Sequence, residues 1–143
     1  MEKFDETLEK RVWQRVHGMP DLSALPSLAA AEQNQAATYL ALSRILQGNH
    51  KNLLRQLYQR ERSHSHCIGG ICRLTDGRIR TKEAPLPIID RPETALRKCY
   101  AQTLKAMQAY RQLENDAEYG HVFQVLSHEE AENCRLLLQI LGQ

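Results

Sequence analysis

The sequence predicts an all-α protein, a four-helix bundle in which one long crossing joins the second helix to the third. Three observations lead there. Apolar residues recur at helical spacing over four long segments, and strand-like alternation is almost absent. Only five prolines and seven glycines punctuate the chain, with Pro85, Pro87 and Pro92 clustered in one connection. That connection, residues 73–90 ("RLTDGRIRTKEAPLPIID"), has no helical period.

In chain order, a short amphipathic helix is expected over about 4–17, with Phe4, Leu8, Val12 and Val16 on one stripe. Trp13 on it is available to cover a bundle face or a dimer contact. The bundle itself is expected over about 25–141, so that 1–143 forms a single domain. Helix A is expected over about 27–47, with Leu28, Glu32, Ala36, Tyr39 and Ser43 on one face and Gly48 as its breaker. Helix B follows with Asn49 as its cap and Leu53, Leu57, Glu61, His64 and Ile68 on one face, weakening at Gly69-Gly70. The crossing is long enough to travel the length of a 20-residue helix, about 30 Å. Helix C is expected to be capped by Asp90 with Glu93 as box partner and Pro92 in its first turn, presenting Leu96, Cys99, Thr103, Met107 and Tyr110. The turn "ENDAEYG" leads to helix D, with Phe123, Leu126, Glu130, Asn133, Leu137 and Ile140. Short A–B and C–D loops make each pair antiparallel, and the crossing lets the second pair pack on the first.

Composition narrows the function. Of 143 residues 42% are hydrophobic and 25% charged, a globular profile that can bury a core without disulfides. The net charge is +2, from 19 basic and 17 acidic residues, which argues against a nucleic-acid partner. "KNLLRQLYQRER" and "RIRTK" read as solvated faces. No apolar run approaches the ~18 residues of a membrane span. The opening "MEKFDETLEKR" is too charged for a signal peptide, so a cytoplasmic protein with no membrane partner is expected. Cys67, Cys72, Cys99 and Cys134 form no C-x-x-C pair.

Each expected apolar face carries polar residues near its middle: Glu32 on A, Glu61 and His64 on B, Thr103 on C, Glu130 and Asn133 on D. Buried carboxylates are costly unless paired, and several together raise one another's pKa; a divalent cation removes both penalties. Glu61 and His64 are three apart, so both can reach one ion, and Glu130 and Asn133 repeat the step. His66, two residues from His64, points away from it, and His50, His121 and His128 have no coordinating spacing.

These positions, with "AAAEQNQAATYLALS", the long crossing, "AMQAYRQL" and "HEEAENCRLLLQILG", resemble the ferritin-like superfamily and its rubrerythrin branch over about 25–141. That family places a glutamate on helices A and C and Glu-x-x-His on B and D. The resemblance implies metal positions at Glu32, Glu61, His64, Thr103, Glu130 and Asn133. It also places the ring hydroxyls of Tyr39 and Tyr110 near the centre. It implies a homodimer and an external electron donor, because no rubredoxin-like domain fits in the chain.

Two departures fall on the same half of the pseudo-two-fold: Thr103 stands for a carboxylate and Asn133 for an imidazole. One ion near His64 is therefore expected instead of two, with iron favoured and manganese or zinc as alternatives. A redox or peroxide-related role follows from the resemblance, with a rubrerythrin-like di-iron peroxidase as one alternative. The other is a metal-free scaffold or interaction protein in which Thr103 bonds Asn133 within a buried polar network. Cys99 and Cys134 are expected near one end of the core, as a buried free pair, as a redox-active dithiol beside the altered half-site, or with a cysteine ligand in place of a lost family ligand.

Overall fold

The computed structural model describes residues 22–75 and 83–142; the helix expected over 4–17 lies outside them. A 3-10 turn, Leu22–Ala24, leads into α1 (Leu25–Ile45), followed by α2 (Asn49–Thr75), α3 (Pro92–Leu113) and α4 (Gly120–Leu141). Among the described residues there is no strand. α1 packs most extensively on α2, and α3 on α4; the two hairpins meet through α1–α3 and α2–α4.

Local chemistry explains the ends. Pro26 occupies the first turn of α1, where its missing N–H has no helical acceptor to lose. After α1 the chain reverses at Gly48, whose φ of 65° lies in the left-handed region that glycine enters without a Cβ clash. Asn49 is the first residue of α2 and not its cap. α2 continues through Gly69-Gly70 to Thr75 because Ile68, Ile71 and Cys72 on either side are buried in the core. The cap of α3 also differs from expectation. Arg91, not Asp90, holds the N-cap position, without a side-chain cap bond, and Glu93 bonds Arg97 at 2.9 Å. Pro92 is the cause: it forces the residue before it into an extended conformation, and Arg91 sits at φ −126°, ψ 110°. Before α4, Asp116 Oδ2 accepts from the backbone N–H groups of Glu118 and Tyr119, at 3.0 and 2.8 Å. A Cβ at Gly120 would overlap the backbone oxygen of Glu114, so the tight entry to α4 requires glycine.

Two apolar clusters give the direction of each helix. One joins Leu25 and Ala29 of α1, Ile68 and Ile71 of α2, Tyr110 and Leu113 of α3, and Phe123 and Leu126 of α4. The other joins Leu42 of α1, Leu54 and Leu57 of α2, Leu96 and Cys99 of α3, and Leu137 and Ile140 of α4. α2 therefore ends at the level where α3 ends, and α3 begins where α2 begins. The two run parallel, so the chain between them joins opposite ends of the bundle. This is the ferritin-like four-helix topology. Between the apolar clusters lies a layer of buried polar side chains: Glu32, Gln35, Glu61, His64, Thr103, Glu130 and Asn133.

Candidate metal centre

Helical spacing places the layer. Glu61 and His64, one turn apart on α2, share a face with Leu57 and Ile68. Glu32 comes from α1 and Glu130 from α4, each flanked by core residues one turn away. The four are 0–3% exposed, and each offers one ligand atom within 4.8 Å of all the others. Two ligands opposite each other across a metal stand about 4.2 Å apart, twice a bond of about 2.1 Å. The cluster thus has the dimensions of one coordination sphere, slightly expanded.

His64 stands at its centre. Nδ1 lies 2.8 Å from Glu130 Oε1 and 3.1 Å from Glu32 Oε2, while Nε2 lies 2.6 Å from Glu129 Oε2. Burial lowers the His64 pKa, but the bonds to Glu130 and Glu32 outweigh it and push it up to about 10. Burial pushes Glu130 up to about 8 against the pull of His64. Glu61 is raised well above the carboxylate range by burial and then by the charges of Glu32 and Glu130. Burial also acts to raise Glu32, yet its bonds to His64 and the neighbouring acids leave it lowered. Near neutral pH the metal-free cluster therefore holds one carboxylate, one imidazolium and two neutral acids. Two ionised carboxylates at such separations repel by about 3 kcal/mol at an effective dielectric near 20, so the added protons are the expected response.

Two oxygens of the cluster remain unmatched by the surrounding protein. Glu61 Oε2 and Glu130 Oε2 are buried and receive no donor from outside the cluster, so only protons shared with the neighbouring acids can answer them. The Tyr110 hydroxyl likewise faces only Glu32 and its neighbours. A native interior rarely leaves such atoms so poorly satisfied, and both carboxylate oxygens belong to residues of the cluster. The donor set of three carboxylates and one imidazole suits a divalent cation, so the residues fit one. Nδ1 is the ligating nitrogen available on His64, and the Nε2–Glu129 contact would fix its ring as carboxylate partners of metal-bound histidines do.

The positions expected for a second ion are engaged otherwise. Thr103 Oγ1 donates to Cys99 O at 2.8 Å and receives from Gln35 Nε2 at 3.0 Å. Asn133 Nδ2 donates to Glu61 Oε1 at 2.8 Å, and Arg60 donates to Asn133 Oδ1 at 3.0 Å. The direct Thr103–Asn133 bond of the polar-network alternative is thus replaced by separate contacts to Gln35 and Glu61. Tyr39 Oη receives from Gln35 Nε2 at 3.1 Å and lies 3.4 Å from Thr103 Oγ1. The Tyr110 ring stacks on Phe123 at 6.4 Å, and its hydroxyl is held protonated by burial and by Glu32, Glu130 and Glu61.

No disulfide joins any of the four cysteines. Burial pushes Cys99 up to about 12 and raises Cys134, which also feels Glu130. Cys67 is exposed, whereas Cys72 lies in the core. His66, His121 and His128 are exposed. An open groove of about 670 Å³ runs between α1, residues 87–91 and α3, and buried Gln35 and Cys99 line it.

Three contributors escaped sequence reading. Gln35 was findable, three residues after Glu32 and four before Tyr39 on the same face. Glu129 and Arg60 were not, because each sits beside an inward residue and off the apolar stripe. No protein-family model, curated protein or solved structure matches the chain.

Proposed function

We propose that this chain is a ferritin-like metal-binding protein holding one divalent ion between Glu32, Glu61, His64 and Glu130. The observation that carries this is the pair of buried carboxylate oxygens without an outside donor, Glu61 Oε2 and Glu130 Oε2, inside a cluster of coordination-sphere size. Oxygen and imidazole donors favour iron or manganese, with zinc as an alternative. Bound iron would supply redox chemistry toward peroxide, the role that the resemblance to the rubrerythrin branch implies.

The chain's own residues support that role in distinct ways. The two apolar clusters exclude water above and below the polar layer. Tyr39 and Tyr110 hold their hydroxyl protons beside the acids, Tyr39 oriented by Gln35. The groove beside Gln35 gives a small oxidant an approach to the Thr103 side of the layer. Cys99 and Cys134, held protonated by burial, are secondary as a redox pair. We also place the protein in the cytoplasm and, by the same resemblance, read it as a homodimer served by an external electron donor. Among the described residues no helix is long and apolar enough to cross a membrane.

A metal-free scaffold is the second reading, and one observation favours it: the His64 imidazolium already sits between Glu32, Glu130 and Glu129 as an internal cation. Elemental analysis separates the two. Protein stripped of metal and supplied with ferrous, manganous or zinc ions should retain one equivalent per chain. No retention with any of the three would leave the scaffold reading standing.

A further inference from the structure

Arg60 stands in a stretch whose charges read as solvated, yet its guanidinium reaches the polar layer. It donates to Asn133 Oδ1 at 3.0 Å, and Asn133 Nδ2 donates to Glu61 Oε1 at 2.8 Å. The order of these bonds has a chemical consequence. A guanidinium can only donate, so the asparagine oxygen must face it. The carboxamide nitrogen then faces Glu61, and Asn133 presents N–H groups to the acids where an oxygen ligand would otherwise point. Glu61 Oε1 is occupied by that bond, which leaves Oε2 as its oxygen without an outside donor. A carboxylate with one oxygen engaged in this way is poorly placed to bridge two ions. The fixed charge of Arg60 disfavours a second cation on the same side.

We propose that Arg60 is a positioning residue that sets the nuclearity of the site: through Asn133 it holds Glu61 in a one-ion arrangement and closes the second half to metal. The inference rests on the metal-binding reading above and names a control on that same site.

The test compares four proteins loaded with manganous ion: wild type, Asn133→Asp, Arg60→Met, and the double variant Arg60→Met/Asn133→Asp. Equilibrium dialysis counts ions, and electron paramagnetic resonance tells isolated from exchange-coupled ions, a signature that a merely structural role would not move. Wild type should bind one ion with an uncoupled spectrum. Asn133→Asp should still bind one, because Arg60 pairs with the new carboxylate and neutralises it. Arg60→Met should tighten weak second-ion binding, since the Asn133 carboxamide becomes free to turn its oxygen inward. The double variant should bind two ions with a coupled spectrum, the second at a manganous concentration at which Asn133→Asp still holds only one. Circular dichroism checks that each variant folds, and Arg60→Gln/Asn133→Asp replaces the double variant if the methionine form does not. Two ions in wild type or in Asn133→Asp, or one ion in the folded double variant, would overturn the role of Arg60 and leave the metal site itself intact. No ion in wild type would overturn both.

Discussion

At the centre of the bundle, protons on three of the four clustered side chains, His64, Glu61 and Glu130, answer the buried charge, and the consequences are measurable. His64 and Glu130 both hold their protons more tightly in the folded chain than when unfolded. The His64 contribution to stability is complete below its ordinary 6.5 and is lost as pH rises through about 10. That of Glu130 is complete below 4.5 and is lost as pH rises through about 8. Glu32, lowered, acts oppositely and only on the acid side. Metal-free protein should therefore lose thermal stability from about pH 5 to about pH 10, and a flat or rising profile over that range would contradict the assignment. Glu61→Gln makes a second prediction. The amide keeps an acceptor for Asn133 Nδ2 and removes a carboxyl pressed by Glu32 and Glu130. Metal affinity should fall at least a hundredfold while the metal-free melting temperature holds or rises, opposite effects that dialysis and calorimetry would record. The acids and His64 were legible because they interrupt apolar faces at helical spacing. Arg60 and Glu129 were not, since only the packed helices show where a long side chain beside the stripe ends.

Helices were legible to within a few residues, and their ends less so. Most inward residues named for each face, from Ala36 and Tyr39 through Leu57, Leu96 and Phe123 to Ile140, are buried, while Leu28, Leu53 and Met107 at the edges of the stripes are half-buried. Caps depend on single backbone angles, and one proline moved the start of α3 from Asp90 to Arg91. The double glycine shows the same limit: packing of Ile71 and Cys72 carries α2 past residues of weak helix propensity. Two glycines of this fold should respond oppositely to alanine. At Gly70 a Cβ meets only the end of the Arg73 side chain, so Gly70→Ala should stabilise by about 0.5–1 kcal/mol. At Gly120 the Cβ overlaps the Glu114 backbone oxygen, so Gly120→Ala should destabilise by about 2 kcal/mol or more. Denaturant midpoints of the two variants check both directions.

The described residues bring two parallel-running helices, α2 and α3, and their antiparallel partners around one polar layer, and a cation held there would couple to fold stability. A cation bound only by the folded state stabilises it by about 2.7 kcal/mol at a hundredfold excess over its dissociation constant. For a chain of this size the melting temperature should then rise on the order of 5–10 °C with saturating ferrous or manganous ion. Magnesium, which demands near-ideal octahedral oxygen ligation, should raise it far less. The topology was legible in the sequence because the crossing lacks helical period and is long enough to span the bundle. Membership of the acidic cluster was legible only where chemistry and helical period coincide. The altered half, Thr103 and Asn133, shows its absent donors in the sequence but not the contacts to Gln35, Arg60 and Glu61 that replaced them.

Anomalous diffraction from crystals of the iron-loaded protein, recorded on both sides of the iron edge, locates the ion without relying on activity. A single peak within bonding distance of Glu32, Glu61, His64 Nδ1 and Glu130 is the expected result. A map with no peak there, and His64 still seated between the carboxylates, would contradict it.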